Sequence, residues 1–133
     1  MIRRAFLLVP ALIFSLGFSV VAFAAEKLPA GFIAKSESPM TWAEAKTFCE
    51  KKDGRLPLVG GSGDDSRKKG TPIDGFGAVG APWPGDLAKG NYWTGTGATG
   101  GVRFSWAVSN SRTGIEILSS NQGGTNRVVC VPK

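Results

Sequence analysis

Met40-Thr41-Trp42-Ala43-Glu44-Ala45-Lys46-Thr47-Phe48-Cys49, continuing through Glu50-Lys51-Lys52-Asp53 to Gly54-Arg55-Leu56-Pro57, is the stretch that decides the fold. Thr41 and Glu44 stand at the spacing of a capping box. The hydroxyl accepts from an amide of the first turn, and the carboxylate reaches back to the Thr41 amide. Trp42, Ala45 and Cys49 recur at i, i+3 and i+7 and so share one helical face, with Phe48 beside it. Glu44, Lys46, Glu50 and Lys51 are left for solvent. The pattern predicts a helix over residues 42–53 that turns Cys49 inward. Gly54 is expected just past its end, in the left-handed backbone that glycine adopts without strain.

Downstream, Arg55-Leu56-Pro57-Leu58-Val59 reads as extended chain, because a residue before proline avoids helical geometry. From residue 60 to residue 90 glycine and proline recur every few positions. They are broken by Asp64-Asp65, Arg67-Lys68-Lys69 and the isolated aromatics Phe76 and Trp83. No period survives there, and so long a loop in a small domain reads as a partly ordered functional loop, with simple surface filler as the other reading. The last third is β in character. Asn91-Tyr92-Trp93-Thr94 is strand-like, and Val102, Phe104, Trp106 and Val108 alternate with Arg103, Ser105 and Ala107 as in a half-buried strand. A turn at 110–114 precedes Ile115 and Ile117, and another at 121–124 leads into Arg127-Val128-Val129-Cys130-Val131, closed by Pro132. One early helix packed on an antiparallel sheet, with a long Gly-rich loop, is an α+β domain.

Upstream, Arg3-Arg4, an apolar run over residues 5–22 and the exit Ala22-Phe23-Ala24 have the three parts of a secretory signal. The expected organisation is a signal peptide over 1–24 and a single domain over 25–133. The product would be secreted or periplasmic, with no stable membrane insertion after cleavage. Loss of Arg3 and Arg4 lowers the formal net charge from +6 to +4. That mild, scattered excess points away from nucleic acid. The two cysteines, Cys49 and Cys130, are expected to form a disulfide in an oxidising compartment.

The chemistry available is narrow. With no histidine in the chain, Ser–His and Cys–His nucleophile pairs and the common zinc sites are excluded. The carboxylates at Glu44, Glu50, Asp64, Asp65, Asp74 and Asp86 show no spacing that brings an acid–base pair together, and no calcium-loop spacing is met. Neither an enzyme nor a metal or cofactor site is expected. Gly75-Phe76-Gly77-Ala78-Val79-Gly80 and Gly95-Thr96-Gly97-Ala98-Thr99-Gly100 match a dinucleotide fingerprint by letter only, since neither reads as strand, then helix. Trp42, Tyr92, Trp93, Phe104 and Trp106 lie in elements and read as core. For Phe76 and Trp83 two readings stand open: exposed anchors for a sugar ring or a protein contact, or inward plugs tying the loop to the core.

The helix block, the Gly54-Arg55-Leu56-Pro57 segment, Tyr92-Trp93-Thr94-Gly95-Thr96 and Arg127-Val128-Val129-Cys130-Val131 together resemble the C-type-lectin-like fold. The nearest likeness is to its bacterial branch, which includes the C-terminal domain of collagen-like adhesins. The resemblance implies a bridge from first helix to final strand and a non-catalytic module with its variable ligand surface in the long loop. The Glu-Pro-Asn, Gln-Pro-Asp and Trp-Asn-Asp motifs of calcium-dependent sugar binders are missing, since Trp106 is followed by Ala107-Val108. The expected function is an exported ligand-binding or adhesion module for a glycan, an extracellular-matrix component or a surface polymer. Trp83 and Phe76 would be its apolar anchors and Asp64, Asp65 and Asp74 its polar contacts. The alternative is an envelope structural or interaction protein that binds a protein partner.

Overall fold

The computed structural model describes residues 28–133. The expected signal segment and its cleavage site lie outside the described residues. The elements run β1 (Ala34–Lys35), α1 (Trp42–Lys51), β2 (Gly54–Arg55), a 3-10 turn (Gly63–Arg67), β3 (Pro72–Ile73), β4 (Gly77–Ala78), β5 (Tyr92–Gly97), β6 (Phe104–Ser111), β7 (Gly114–Asn121) and β8 (Val129–Pro132). This is a mixed α+β chain with one helix among the described residues and antiparallel ladders. The described strands form two three-stranded sheets, β1-β8-β2 and β5-β6-β7, and a small β3-β4 hairpin. The first and last described strands pair with each other, Ala34 opposite Cys130 and Lys35 opposite Val129, in one sheet.

The capping box forms as the spacing predicts. The Glu44 amide donates to Thr41 Oγ1 and the Thr41 amide donates to Glu44 Oε1 at 2.9 Å. The helix ends two residues earlier than its pattern suggested. Lys52 caps it, and Asp53, with φ of 60°, takes the left-handed position expected of Gly54. Gly54 instead lies in β2, opposite Pro132, where a Cβ would stand 2.6 Å from the Val131 carbonyl oxygen. Its role is close strand approach, and the left-handed turn falls to an aspartate, which tolerates it better than most side chains.

Alternation along β5 and β8 explains why the core has two halves. Trp93, Val128 and Cys130 face the helix, packing with Ala45, Cys49 and Leu56. Their chain neighbours Tyr92, Val129 and Val131 face the other way, toward Trp106, Val108, Ile115 and Ile117. Cys49 and Cys130 are disulfide-bonded with Cα atoms 5.4 Å apart, joining helix to last strand. Two indoles bind the helix start to β5 in opposite directions. Trp42 Nε1 donates to the Thr94 carbonyl at 2.9 Å, and Trp93 Nε1 donates to the Met40 carbonyl at 2.7 Å.

Strand β6 departs from the half-buried expectation. It starts at Phe104, leaving Val102 exposed at the hairpin tip. Ser105 and Ala107 are as fully buried as Trp106 and Val108. Both of its faces are buried over residues 105–108. Ala107 lies opposite Trp93, and Ser105 Oγ accepts from Gln122 Nε2 at 2.9 Å.

Candidate functional site

The segment over 60–90 is the second cover of the sheet. Its glycines and prolines hide any period, but its apolar residues are set into the core from the side opposite the helix. Ile73, Phe76, Val79 and Leu87 are buried and Ala81 and Trp83 pack against them. Phe76, only 4% exposed, lies 5.0 Å from Phe32 edge to face and 6.1 Å from Tyr92, ring centre to ring centre. Trp83 is half-buried beside Phe76 and Tyr92, and its Nε1 donates to the Leu87 carbonyl at 2.8 Å. Of the two readings left open for these rings, the inward one describes Phe76. That ring has no surface to offer a ligand, because Phe32, Trp83 and Tyr92 pack around it. Trp83 keeps a partly open face.

Backbone bonds fasten this cover along its length. Gly60 N–H donates to the Pro72 carbonyl, Gly80 N–H to the Ile115 carbonyl, and Ile115 N–H to the Ala81 carbonyl. Buried Ser66 donates from Oγ to the Gly60 carbonyl at 2.8 Å, and Thr71 Oγ1 donates to the Asp65 carbonyl at 3.0 Å. A Gly-rich stretch is thereby held in one shape, with its charged side chains outward.

Those side chains converge only in part. Asp64, Asp65 and Arg67 share the 3-10 turn. Asp64 Oδ1 accepts from Thr99 Oγ1 at 2.9 Å, joining the turn to the β5–β6 hairpin. Asp65 makes a solvated ion pair with Lys68 at 3.0 Å. The Arg67 guanidinium stands 6.0 Å from the centre of the Trp106 ring, the outer limit of a cation–π contact. Trp106 Nε1 is buried without a hydrogen-bond partner among the described residues. Arg67, Thr99 and Trp106 therefore adjoin Asp64 and Asp65, a grouping that only the meeting of turn and hairpin creates. Sequence offered one hint, the basic triplet beginning at Arg67.

Asp74 is engaged elsewhere. Its Oδ2 accepts from Arg55 Nη1 at 2.6 Å and from the Leu58 amide at 3.0 Å. Burial pushes its pKa up, but the Arg55 hydrogen bond, the Leu58 amide and the Arg55 charge together outweigh it and hold the carboxyl below its ordinary value. That pairing fastens the base of the segment to β2. Among the described residues no three carboxylate, histidine or cysteine side chains come close enough to hold a metal ion. Neither Gly75–Gly80 nor Gly95–Gly100 is followed by a helix.

A shallow groove of about 600 Å³ runs beside α1 on the far side of the molecule, with Pro39, Met40, Ala43 and Phe48 as its apolar surface and Glu44 and Lys51 at its margin. No helix among the described residues is long and apolar enough to cross a membrane. No protein-family model, curated protein or solved structure matches the chain.

Proposed function

We propose that the chain is an exported, non-catalytic binding module of C-type-lectin-like architecture, recognising a glycan or surface polymer through the outer face of residues 60–90. One observation carries this reading. The first and last described strands pair in a single sheet, the helix is bridged to the last strand, and the intervening segment leaves and returns as a fixed cover whose polar side chains face outward. A fixed scaffold presenting a polar loop surface suits recognition, since little ordering remains to oppose binding. Asp64, Asp65, Arg67 and Thr99 form the polar patch, with the open face of Trp83 as an apolar contact. Phe76 and Asp74 hold the segment in place. Export is supported by the disulfide, which persists in oxidising compartments.

The test is binding of the oxidised protein to immobilised neutral and acidic glycans and matrix proteins, with calcium and with chelator. Saturable binding to one class is expected, weakened about fivefold or more by Asp64→Ala or Arg67→Ala, as for a contact worth about 1 kcal/mol. Unchanged affinity in both variants, with folding intact, refutes the loop face as the recognition surface. The apolar groove beside α1 favours a second reading, an envelope component that binds a protein partner. Co-purification of a single stoichiometric partner whose binding ignores the loop variants would select it.

A further inference from the structure

At the root of the 60–90 segment three stretches of chain meet around a cleft of about 320 Å³, lined by Pro39, Gly90, Asn91, Thr125, Asn126 and Arg127. That volume lies at the low end of small-molecule sites, about 300–1,000 Å³, and suits one ring-sized ligand. Its walls are pinned to one another. Met40 and Asn126 exchange backbone hydrogen bonds at 2.9 and 3.0 Å. The Arg127 amide donates to the Asn91 carbonyl at 2.8 Å, and the Arg127 carbonyl accepts from the Trp93 amide at 3.0 Å.

Arg127 is thus fixed at its Cα, and its side chain is laid across Gly90. A Cβ on Gly90 would stand 2.5 Å from Arg127 Nε and 2.9 Å from its Cδ. Among the described residues no carboxylate pairs with this guanidinium. Beside it the Asn91 amide and the Thr125 hydroxyl are exposed and carry no side-chain hydrogen bond to another described residue. Asn126 Nδ2 is turned to Ser120 Oγ at 2.9 Å. Pro39 supplies an apolar wall.

We infer that this cleft binds a single carboxylated sugar ring, its carboxylate on Arg127, its hydroxyls on Asn91 and Thr125, and its C–H face against Pro39. The planar guanidinium matches a carboxylate with two parallel hydrogen bonds, and the neutral polar groups match hydroxyls, which a bare anion lacks. The site stands on this cleft alone and is separate from the outer face of the 60–90 segment.

The test follows the backbone amides of the oxidised protein by NMR while D-glucuronate, D-glucose or sodium sulfate is added at constant ionic strength. Saturable shifts at Gly90, Asn91, Asn126 and Arg127 are expected with glucuronate. Arg127→Gln should weaken them at least about tenfold, since it removes a charge-assisted pair. The Arg127 side chain is exposed, so that variant should keep the native spectrum elsewhere. Should it unfold, Asn91→Ala decides the matter, and undiminished affinity there overturns the site. Glucose binding as tightly as glucuronate overturns the role of Arg127. Sulfate matching glucuronate overturns the sugar. Glycan binding sensitive to Asp64→Ala and indifferent to Arg127→Gln overturns this cleft and leaves the loop face standing.

Discussion

Replacing Gly54 with alanine places a Cβ 2.6 Å from the Val131 carbonyl oxygen and 2.7 Å from Ile33 Cδ1. The Ile33 tip can give way, because that side chain is 45% exposed. The carbonyl cannot. Val131 is paired with Arg55, and its strand holds β1 on the opposite edge, so a shift there breaks the sheet that joins the first and last described strands. Overpacking costs about 1–3 kcal/mol, and an immovable backbone atom puts this case at the upper end, about 3 kcal/mol. For a domain of this size that lowers the unfolding midpoint by about 12 °C, taking about 4 °C per kcal/mol. The assay is thermal unfolding followed by circular dichroism, with Gly54→Asn and Gly85→Ala measured alongside. Had Gly54 been a left-handed cap, asparagine would be tolerated there. Steric contact with Val131 makes asparagine as damaging as alanine. Gly85 has nothing within 4 Å of a built Cβ and no positive φ, so its alanine variant should be neutral or stabilising by about 0.4–1 kcal/mol. A Gly54→Ala midpoint within about 2 °C of the parent, or asparagine tolerated while alanine is not, would refute the reasoning.

Removing the bridge with the double variant Cys49→Ala, Cys130→Ala releases a loop of 81-residue separation, worth about 4.5 kcal/mol in the chain-entropy treatment. The midpoint should fall by roughly 18 °C, and a fall of less than about 5 °C would contradict that size. The Asp74 carboxyl sits below its ordinary value in the fold, so its contribution is present above its unfolded pKa, about 3.9, and is lost as pH falls through the folded value. Both Arg55 and Asp74 side chains are about two-fifths exposed, at 40% and 39%, so the pair is worth about 1 kcal/mol or less. Asp74→Asn should flatten the acid side of the stability curve below about pH 4, and an unchanged curve in acid urea titrations would show that the pair carries no pH dependence.

The parts of this protein that its sequence determined are those governed by near neighbours along the chain. The Thr41–Glu44 capping box and the helical face of Trp42, Ala45 and Cys49 need only a few residues to act, and helix and cysteine orientation followed. Turns before Gly114 and at Asn121 were legible for the same reason, since turn chemistry is local. The α+β class came from one strong helical period followed by alternating strands.

Where contact between distant segments decides conformation, the sequence was silent or misleading. Gly54 carries the same letter whether it turns left-handed or lies flat under a carbonyl, and only β8 arriving opposite it chose the second. Ser105 and Ala107 have the polarity of a solvent face, yet both are buried, because Trp93 of β5 lies opposite Ala107 and Gln122 closes over Ser105. Phe76 and Trp83 pack against each other, but the rings that draw them inward, Phe32 and Tyr92, come from outside residues 60–90. The candidate patch shows the same division. Asp64, Asp65 and Arg67 were visible as a charged run, whereas Thr99 joined them only through the hairpin, and the Arg127 cleft exists only where three segments cross. Tertiary structure settled these positions because long-range packing outweighs the local preferences that sequence records.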